Sequence, residues 1–410
     1  MTEPALSDAR PHPAGAGNTL VARGFRGTWA ELPDFPLPPV AAALVADNLA
    51  AAAAVWEHMR APHETLVVAA ARVDDDMAEA LRHDGFALVR GEQVEAPEPA
   101  RPAEAGRVWL LTSGSTGRPK RVAHTLASLT TVAGDQPPRR WLCPYTPGTY
   151  AWWQVVTLSL AHPRQEIVFV EGDELDGWPE LALAEGVTAA SGTPTFWRQA
   201  LWRSGATVGQ LPLEQVTLGG EPVDQAILDQ LRALFPDARI SWIYASSEAG
   251  ASIAVHDGRA GFPAAWLDRV VPGRPGLSVE SNELLIASPW SADGMTGVIR
   301  TGDRVEVQGD RVLITGRVAS DEINVGGSKA SAAEVRRILL DHPDVVWAQV
   351  GGRKAPIVGN VVTADVVVSA PVTEQELTAW SAQHLPDYAV PRRLRFLDAI
   401  PIKETLKSDV

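Results

Sequence analysis

The stretch Leu110-Leu111-Thr112-Ser113-Gly114-Ser115-Thr116-Gly117-Arg118-Pro119-Lys120 constrains this chain more than any other. Val108-Trp109 and the two leucines read as the end of a buried strand. The nine residues that follow are Ser, Thr and Gly, with one Pro and two bases. Small residues leave backbone N–H groups open to a ligand, and Gly permits the conformations that aim several of them at one point. Hydroxyls add donors and Lys120 adds charge, so the loop suits a polyphosphate. The Gly-x-x-x-x-Gly-Lys-Ser/Thr spacing of a Walker loop is absent. A flexible polar turn would share this composition, so the rest of the chain must decide. Val122–Val132 reads as a helix, whose N-terminus would add its dipole to the loop.

A chain of 410 residues can bury one large core or two to three ordinary ones. With 45% hydrophobic and 21% charged residues it is not a disordered chain. A net charge of −14 attracts neither nucleic acid nor anionic lipid, and both are set aside as partners. The single cysteine, Cys143, excludes an internal disulfide framework and a Cys-based zinc site, and points to a reducing cytoplasm. No apolar run approaches the ~18 residues of a membrane span. The longest, Ala41–Val55, is broken by Asp47 and Asn48 and reads as a packed helix. Met1–Asn18 lacks a basic-then-apolar signal pattern and reads as a tail.

Helix-like and strand-like runs alternate before the loop: Val40–Met59, Glu64–Ala70, Asp74–His83 and Phe86–Val89. Such alternation predicts a parallel α/β layer. After the loop, Tyr145, Tyr150, Trp152 and Trp153 fall within ten residues, which suits a flat apolar ligand or ordinary core packing. Three strand-like runs then exit in turn into small polar residues. Val187–Ala190 leads to Ser191-Gly192-Thr193-Pro194, Gln215–Leu218 to Gly219-Gly220-Glu221-Pro222, and Arg239–Tyr244 to Ala245-Ser246-Ser247-Glu248. The carboxyl edge of a parallel sheet is where ligands bind. Short β-like runs at Glu283–Ile286, Thr296–Ile299, Val305–Val307 and Val312–Thr315 predict a small barrel-like part. From Ala330 the pattern is helix, strand, strand, helix, a small α+β domain.

In order and type these segments resemble those of the adenylate-forming superfamily, which includes acyl- and aryl-CoA synthetases, peptide-synthetase adenylation domains and luciferases. Further matches are Thr301-Gly302-Asp303, Gly316-Arg317, the turn Asp321–Gly327, and a terminal lysine six places after Pro401, which is Lys407. Leu406 stands where the family usually has Gly, and Asn324 where many members have Lys. The hinge spacing is one residue longer than usual, which leaves Ala319 and Ser320 both as candidate hinge residues. The segment before the phosphate loop is shorter than the family's. The resemblance implies an α/β fold, with a large layered domain over 1–316 and a small mobile α+β domain over 317–410, hinged near 317–320.

It also implies the chemistry. A carboxylic acid attacks the α-phosphorus of ATP, with Mg²⁺, to give acyl-AMP and pyrophosphate, and a pantetheine thiol of CoA or of a carrier protein in trans then displaces AMP. By this resemblance Thr112, Ser113, Gly114, Ser115, Thr116, Gly117 and Lys120 hold the β- and γ-phosphates, Ser247 meets the α-phosphate, and Glu248 binds Mg²⁺. Asp303 takes the ribose hydroxyls with help from Arg317. Gly219, Gly220, Glu221, Tyr244, Ala245 and Ser246 surround the nucleotide. Lys407 bridges carboxylate and phosphate, with Lys403 as a rival by charge alone. Thr149, Tyr150, Trp152, Trp153, Thr193 and Gly220 line the acyl pocket, and Gly326 and Gly327 the thiol path. The aromatic run favours an aryl or conjugated acid. An amine or oxyanion as second nucleophile, or a non-catalytic binding relative, remain as alternatives; intact Lys407, Glu248 and Asp303 count against the last. His124 and His256 receive no role.

Overall fold

The structure, a computed structural model, describes residues 13–112, 120–318, 322–355, 359–403 and 405–408. The chain forms two compact units, Met1–Leu175 and Asp176–Val410.

In the first unit a six-stranded sheet runs Gln93–Glu95, Ala87–Arg90, Val40–Val45, Glu64–Ala69, Arg107–Thr112, Lys120–Thr125. Its four inner strands are parallel and both edge pairings are antiparallel. Thr19–Ala22 pairs antiparallel with Phe25–Thr28 and parallel with Gln165–Phe169, which pairs parallel with Arg139–Cys143.

Three expectations are corrected here. The Ala-rich run is not one helix, for Val40–Val45 is a fully buried inner strand and the helix is Asn48–Arg60. A strand covered on both faces reads as a continuous apolar run, and alanines give it no strand-like alternation. Asp47 marks the change, its carboxylate accepting from the Ala50 N–H at 2.8 Å. After the phosphate loop the chain returns as the strand Lys120–Thr125, paired residue for residue with Arg107–Thr112; only Leu126–Leu129 is helical. The long helix expected over 122–132 is therefore not formed. His124 lies on that strand, buried, with Nδ1 2.9 Å from Ser128 Oγ. Asn18 is no tail residue, since its amide donates to the carbonyls of Ser159 at 2.6 Å and His162 at 2.7 Å.

In the second unit Ala189–Gly192, Gln215–Gly219 and Arg239–Ser246 run parallel, with Gly250–Val255 antiparallel at the edge. Helices Pro194–Val208 and Gln225–Leu234 follow the first two strands. A five-stranded antiparallel sheet comes next, in the order Phe262–Pro263, Arg311–Arg317, Ile299–Gln308, Glu283–Ala287, Gly276–Glu280. Thr301-Gly302-Asp303 lies inside one strand where two short ones were expected. Gly302 at φ +72° and a register shift at Arg304/Val305 break the periodicity there. The last part is a sheet of Glu322–Val325, Ser328–Ser331, Val345–Ala355, Gly359–Val368 and Arg393–Phe396, with helices Ala332–Leu340 and Glu374–His384.

The first unit depends on Glu64, whose side chain has no solvent exposure. Its carboxylate accepts from both Arg101 Nη atoms at 2.6 and 2.7 Å, from Trp109 Nε1 at 2.7 Å and from the Glu104 N–H at 2.8 Å. Glu64→Ala strands these donors and should cost about 3 kcal/mol. Urea unfolding checks this, and an unchanged midpoint would refute it.

Candidate functional site

Two parallel strands of the second unit, Ala189–Gly192 and Gln215–Gly219, deliver their loops to residues 406–408. Thr193, 1% exposed, caps the helix Pro194–Val208 by accepting from the Phe196 N–H at 3.0 Å. Its hydroxyl donates to the Leu406 carbonyl. Glu221, on the loop after the second strand, accepts through one oxygen from the Thr195 N–H at 2.9 Å. Through the other it accepts from the Ser408 N–H at 2.9 Å and hydroxyl at 3.2 Å. Thr195 Oγ1 lies 3.2 Å from Ser408 Oγ. Lys407 sits between the two anchored residues. Gly220, at φ +83°, faces it so closely that an added Cβ would lie 3.1 Å from Lys407 Cε.

The third strand and the antiparallel sheet supply a second group. Tyr244 donates its hydroxyl to Asp303. Asp303 is the cross-strand partner of Arg317, whose Nε lies 3.1 Å from its carboxylate. Arg317 also donates to the Thr301 carbonyl at 2.9 Å. Burial pushes the Asp303 carboxyl above the usual carboxylate range, against the Tyr244 hydrogen bond and the charges of Arg317 and Lys407. Burial and the Asp303 charge push the Tyr244 hydroxyl up as well. Lys407 as a whole residue is exposed to solvent. Even so, its close surroundings push the amine below the usual lysine range, with Arg317 acting the same way and Glu221 and Asp303 opposing.

Ser246 ends the strand Arg239–Ser246, and Ser247, Glu248 and Ala249 form the turn after it. Ser246 Oγ accepts from the Ala249 N–H at 3.0 Å, and the Glu248 carbonyl from the Ala292 N–H at 2.9 Å. No group of three His, Cys, Asp or Glu side chains able to hold a metal occurs among the described residues. A lone, half-buried carboxylate fits Mg²⁺, which keeps its waters and takes phosphate oxygens for the rest of its shell.

Gly326 and Gly327, at φ +58° and +92°, form the tip of the hairpin Glu322–Ser331, and Asn324 Oδ1 accepts from the Gly327 N–H at 3.0 Å. Ala319 and Ser320 lie outside the described residues.

In the first unit Thr112 and Lys120 are cross-strand partners on either side of residues 113–119. Ser113, Gly114, Ser115, Thr116 and Gly117 lie outside the described residues. Thr149 caps the helix Tyr150–Ala161, and Tyr150 is half-buried. Trp152 and Trp153 are fully buried, edge to face at 5.2 Å. Trp152 Nε1 donates to Asn48 Oδ1 at 2.8 Å and its ring stacks on Phe169.

Sequence reasoning missed Thr195, Leu406 and Ser408. The Thr-Pro-Thr helix start and a serine beside Lys407 were visible. Their pairing across some 200 residues was not, as |i−j| is 213 for Thr195–Ser408 and 187 for Glu221–Ser408.

The AMP-binding enzyme family profile matches residues 40–302, and that of the AMP-binding enzyme C-terminal domain matches residues 334–407. The chain belongs to this family. A 2-succinylbenzoate--CoA ligase of Bacillus licheniformis is 28% identical over 331 residues, which are 71% of this chain and 66% of the relative. The chain thus spans just under two thirds of that relative's length. A benzoate CoA ligase from Burkholderia xenovorans LB400 shares the fold at TM-score 0.73 and 18% identity, with 96% of each chain covered. The amide bond synthetase McbA from Marinactinospora thermotolerans does so at TM-score 0.69 and 22% identity, again with 96% of each covered. No helix among the described residues is long and apolar enough to cross a membrane.

Gly220→Ala tests the close approach to Lys407. A Cβ at positive φ costs about 1 kcal/mol, and it also crowds the Lys407 side chain. Thermal unfolding should show that modest loss. An alanine variant as stable as the parent would mean that the loop can relax away from Lys407.

Proposed function

We propose that this chain joins a carboxylic acid to a thiol in two steps driven by ATP. In the first, a carboxylate oxygen attacks the α-phosphorus, the bond to the pyrophosphate oxygen breaks, and acyl-AMP remains. In the second, the sulfur of CoA, or of a carrier protein in trans, attacks the acyl carbon. Its proton goes to solvent and AMP leaves with the electrons of the broken C–O bond. A free carboxylate would have to expel oxide, whereas AMP is a stable leaving group.

The observation that carries this reading is the convergence of Lys407 with Asp303, Arg317 and Gly220 at the end of the parallel strands. Lys407 neutralises charge as carboxylate and α-phosphate approach. Asp303, held by Tyr244 and Arg317, accepts from the ribose hydroxyls. Gly219, Gly220 and the Tyr244–Ser246 backbone flank the base, and Ser247 meets the α-phosphate. Thr112, residues 113–117 and Lys120 take the β- and γ-phosphates. Glu248 would hold Mg²⁺, which supplies charge neutralisation at the phosphates. Gly326 and Gly327 border the thiol path. A mobile domain from residue 317, hinged at 317–320, lets the thiol reach the carbon that Lys407 first guards. An aryl or conjugated acid is the substrate class, supported by the Bacillus relative named for 2-succinylbenzoate. By the family resemblance Thr149, Tyr150, Trp152, Trp153, Thr193 and Gly220 are the candidates for the acyl pocket, and of these Trp152 and Trp153 are fully buried. The lone Cys143 and acidic composition suit the cytoplasm.

Pyrophosphate exchange over a panel of acids, followed by addition of CoA, holo-carrier proteins or amines, tests the reading. Aryl acids should support exchange and thiols should release AMP. Transfer to amines alone would replace the thiol step with amide formation, and no exchange with any acid would end the proposal. Lys407→Ala should slow exchange about 10²–10³-fold, the size seen when one preorganised donor is lost, and Lys403→Ala far less. Because the Lys407 pKa is depressed, exchange should fall on the alkaline side below the ordinary lysine value of about 10.4. A limb at or above that value would remove Lys407 as its source.

A further inference from the structure

We infer that Glu221 is a positioning residue that latches the C-terminal segment, holding Lys407 in place for adenylate formation and releasing it for thiol transfer. The inference rests on the acid activation proposed above and goes beyond it. It also replaces an adenine-contacting role for the Glu221 side chain.

Both Glu221 oxygens are engaged, and by groups from two separate parts of the unit. One accepts from the Thr195 N–H in the first turn of the helix Pro194–Val208, where the helix dipole favours an anion. The other accepts from the N–H and hydroxyl of Ser408. Ser408 is 6% exposed, so its N–H would lose its acceptor if Glu221 were removed, while its hydroxyl would keep Thr195 Oγ1. On the other side of Lys407, Thr193 donates to the Leu406 carbonyl. Leu406 is 1% exposed and sits at φ +60°, a conformation a leucine avoids unless its surroundings impose it. The chain is therefore pinned immediately before and immediately after Lys407. Among these contacts only that of Glu221 with the Ser408 N–H combines a charged acceptor with a backbone donor of the tail, and such bonds are roughly twice as strong as neutral ones. A latch of hydrogen bonds, unlike a large apolar interface, can be exchanged for water when the segment leaves.

The test uses Glu221→Gln in the full chain, with three readouts. First, ATP–pyrophosphate exchange should lose kcat about tenfold or more with little change in KM for ATP, the pattern of an interaction made in the transition state. Thiol transfer from supplied acyl-AMP should be unchanged or faster. Second, the alkaline limb of exchange should move to lower pH, because Glu221 favours the charged amine of Lys407. Third, hydrogen exchange without substrates should be about tenfold faster in the terminal peptide 402–410, with any change elsewhere limited to the helix start at Thr195 that Glu221 also holds. Ser408→Ala keeps the backbone N–H and should show a smaller change of the same kind. A raised KM for ATP with kcat and terminal protection intact would overturn the latch in favour of a base contact. Equal loss in both half-reactions would overturn it as well. The hydrogen-exchange readout needs no acid. If the parent chain activates no acid, the proposed function falls while the latch is still tested, and if protection is unchanged the latch falls whatever acid is used.

Discussion

One amine, near the end of the chain, must be held against a site built some 100 to 200 residues earlier. Ordering each backbone residue costs about 1–2 kcal/mol, so a chain end stays in place only where specific contacts offset that cost. Here they fall on both neighbours of the amine, through Thr193 to Leu406 and Glu221 to Ser408. The turn is further closed by Lys403 N–H to the Lys407 carbonyl at 2.8 Å and Leu406 N–H to the Lys403 carbonyl at 2.9 Å. The strained backbone at Leu406 is compensated by burial of its side chain. Gly220 completes the arrangement by having no side chain where Lys407 lies.

The same amine explains the charges around it. Asp303 and Glu283 both flank the bulged Thr301-Gly302-Asp303 segment, and Glu283 accepts from the Gly302 N–H at 3.0 Å. Burial raises the pKa of Asp303 and the nearby Glu283 charge adds to this, while Tyr244, Arg317 and Lys407 lower it. The antiparallel register sets Arg317 opposite Asp303 across the strands, so the pair forms wherever the sheet forms. Lys407 enters this field from the far end of the chain, and its charge becomes part of the site only when the tail is seated.

Much of this could be read from the sequence. The three strand-to-loop exits, the helix Ala332–Leu340 and the strands beside it lie within a few residues of their expected bounds, because apolar period and Gly/Ser punctuation agree at each. Local pattern failed where a strand is buried on both faces, as at Val40–Val45, and where pairing overrides propensity, as at Lys120–Thr125. Thr301–Asp303 looked like a turn because Gly and Asp are turn residues, yet a bulge inside one strand uses the same residues. Glu221 was legible as part of a Gly-Gly-Glu loop but not as the partner of Ser408. A hydrogen bond between loops far apart in sequence leaves no period and no spacing to find.

The contacts between the 334–407 region and the rest of the second unit carry the same logic further. Arg198, 2% exposed, pairs with Asp224 at 2.5 Å and donates to the Val346 carbonyl at 3.1 Å. Arg336 donates to the Ala348 carbonyl at 2.9 Å and shares the field of Asp224. Despite burial, Arg198 keeps the Asp224 carboxyl below its usual range. Apolar packing beside them includes a small cluster of Trp347, Val367 and Ile400 with Trp202, Val346, Leu397 and Ile402 around it. Buried ion pairs return little net stability, because desolvation cancels most of their attraction. What they add is register, since the groups fit in one arrangement and are costly in any other. A region held by charges and hydrogen bonds can be well placed without being tightly bound. On the two-step reaction proposed above, a segment that serves one half-reaction and then withdraws for the other needs that combination.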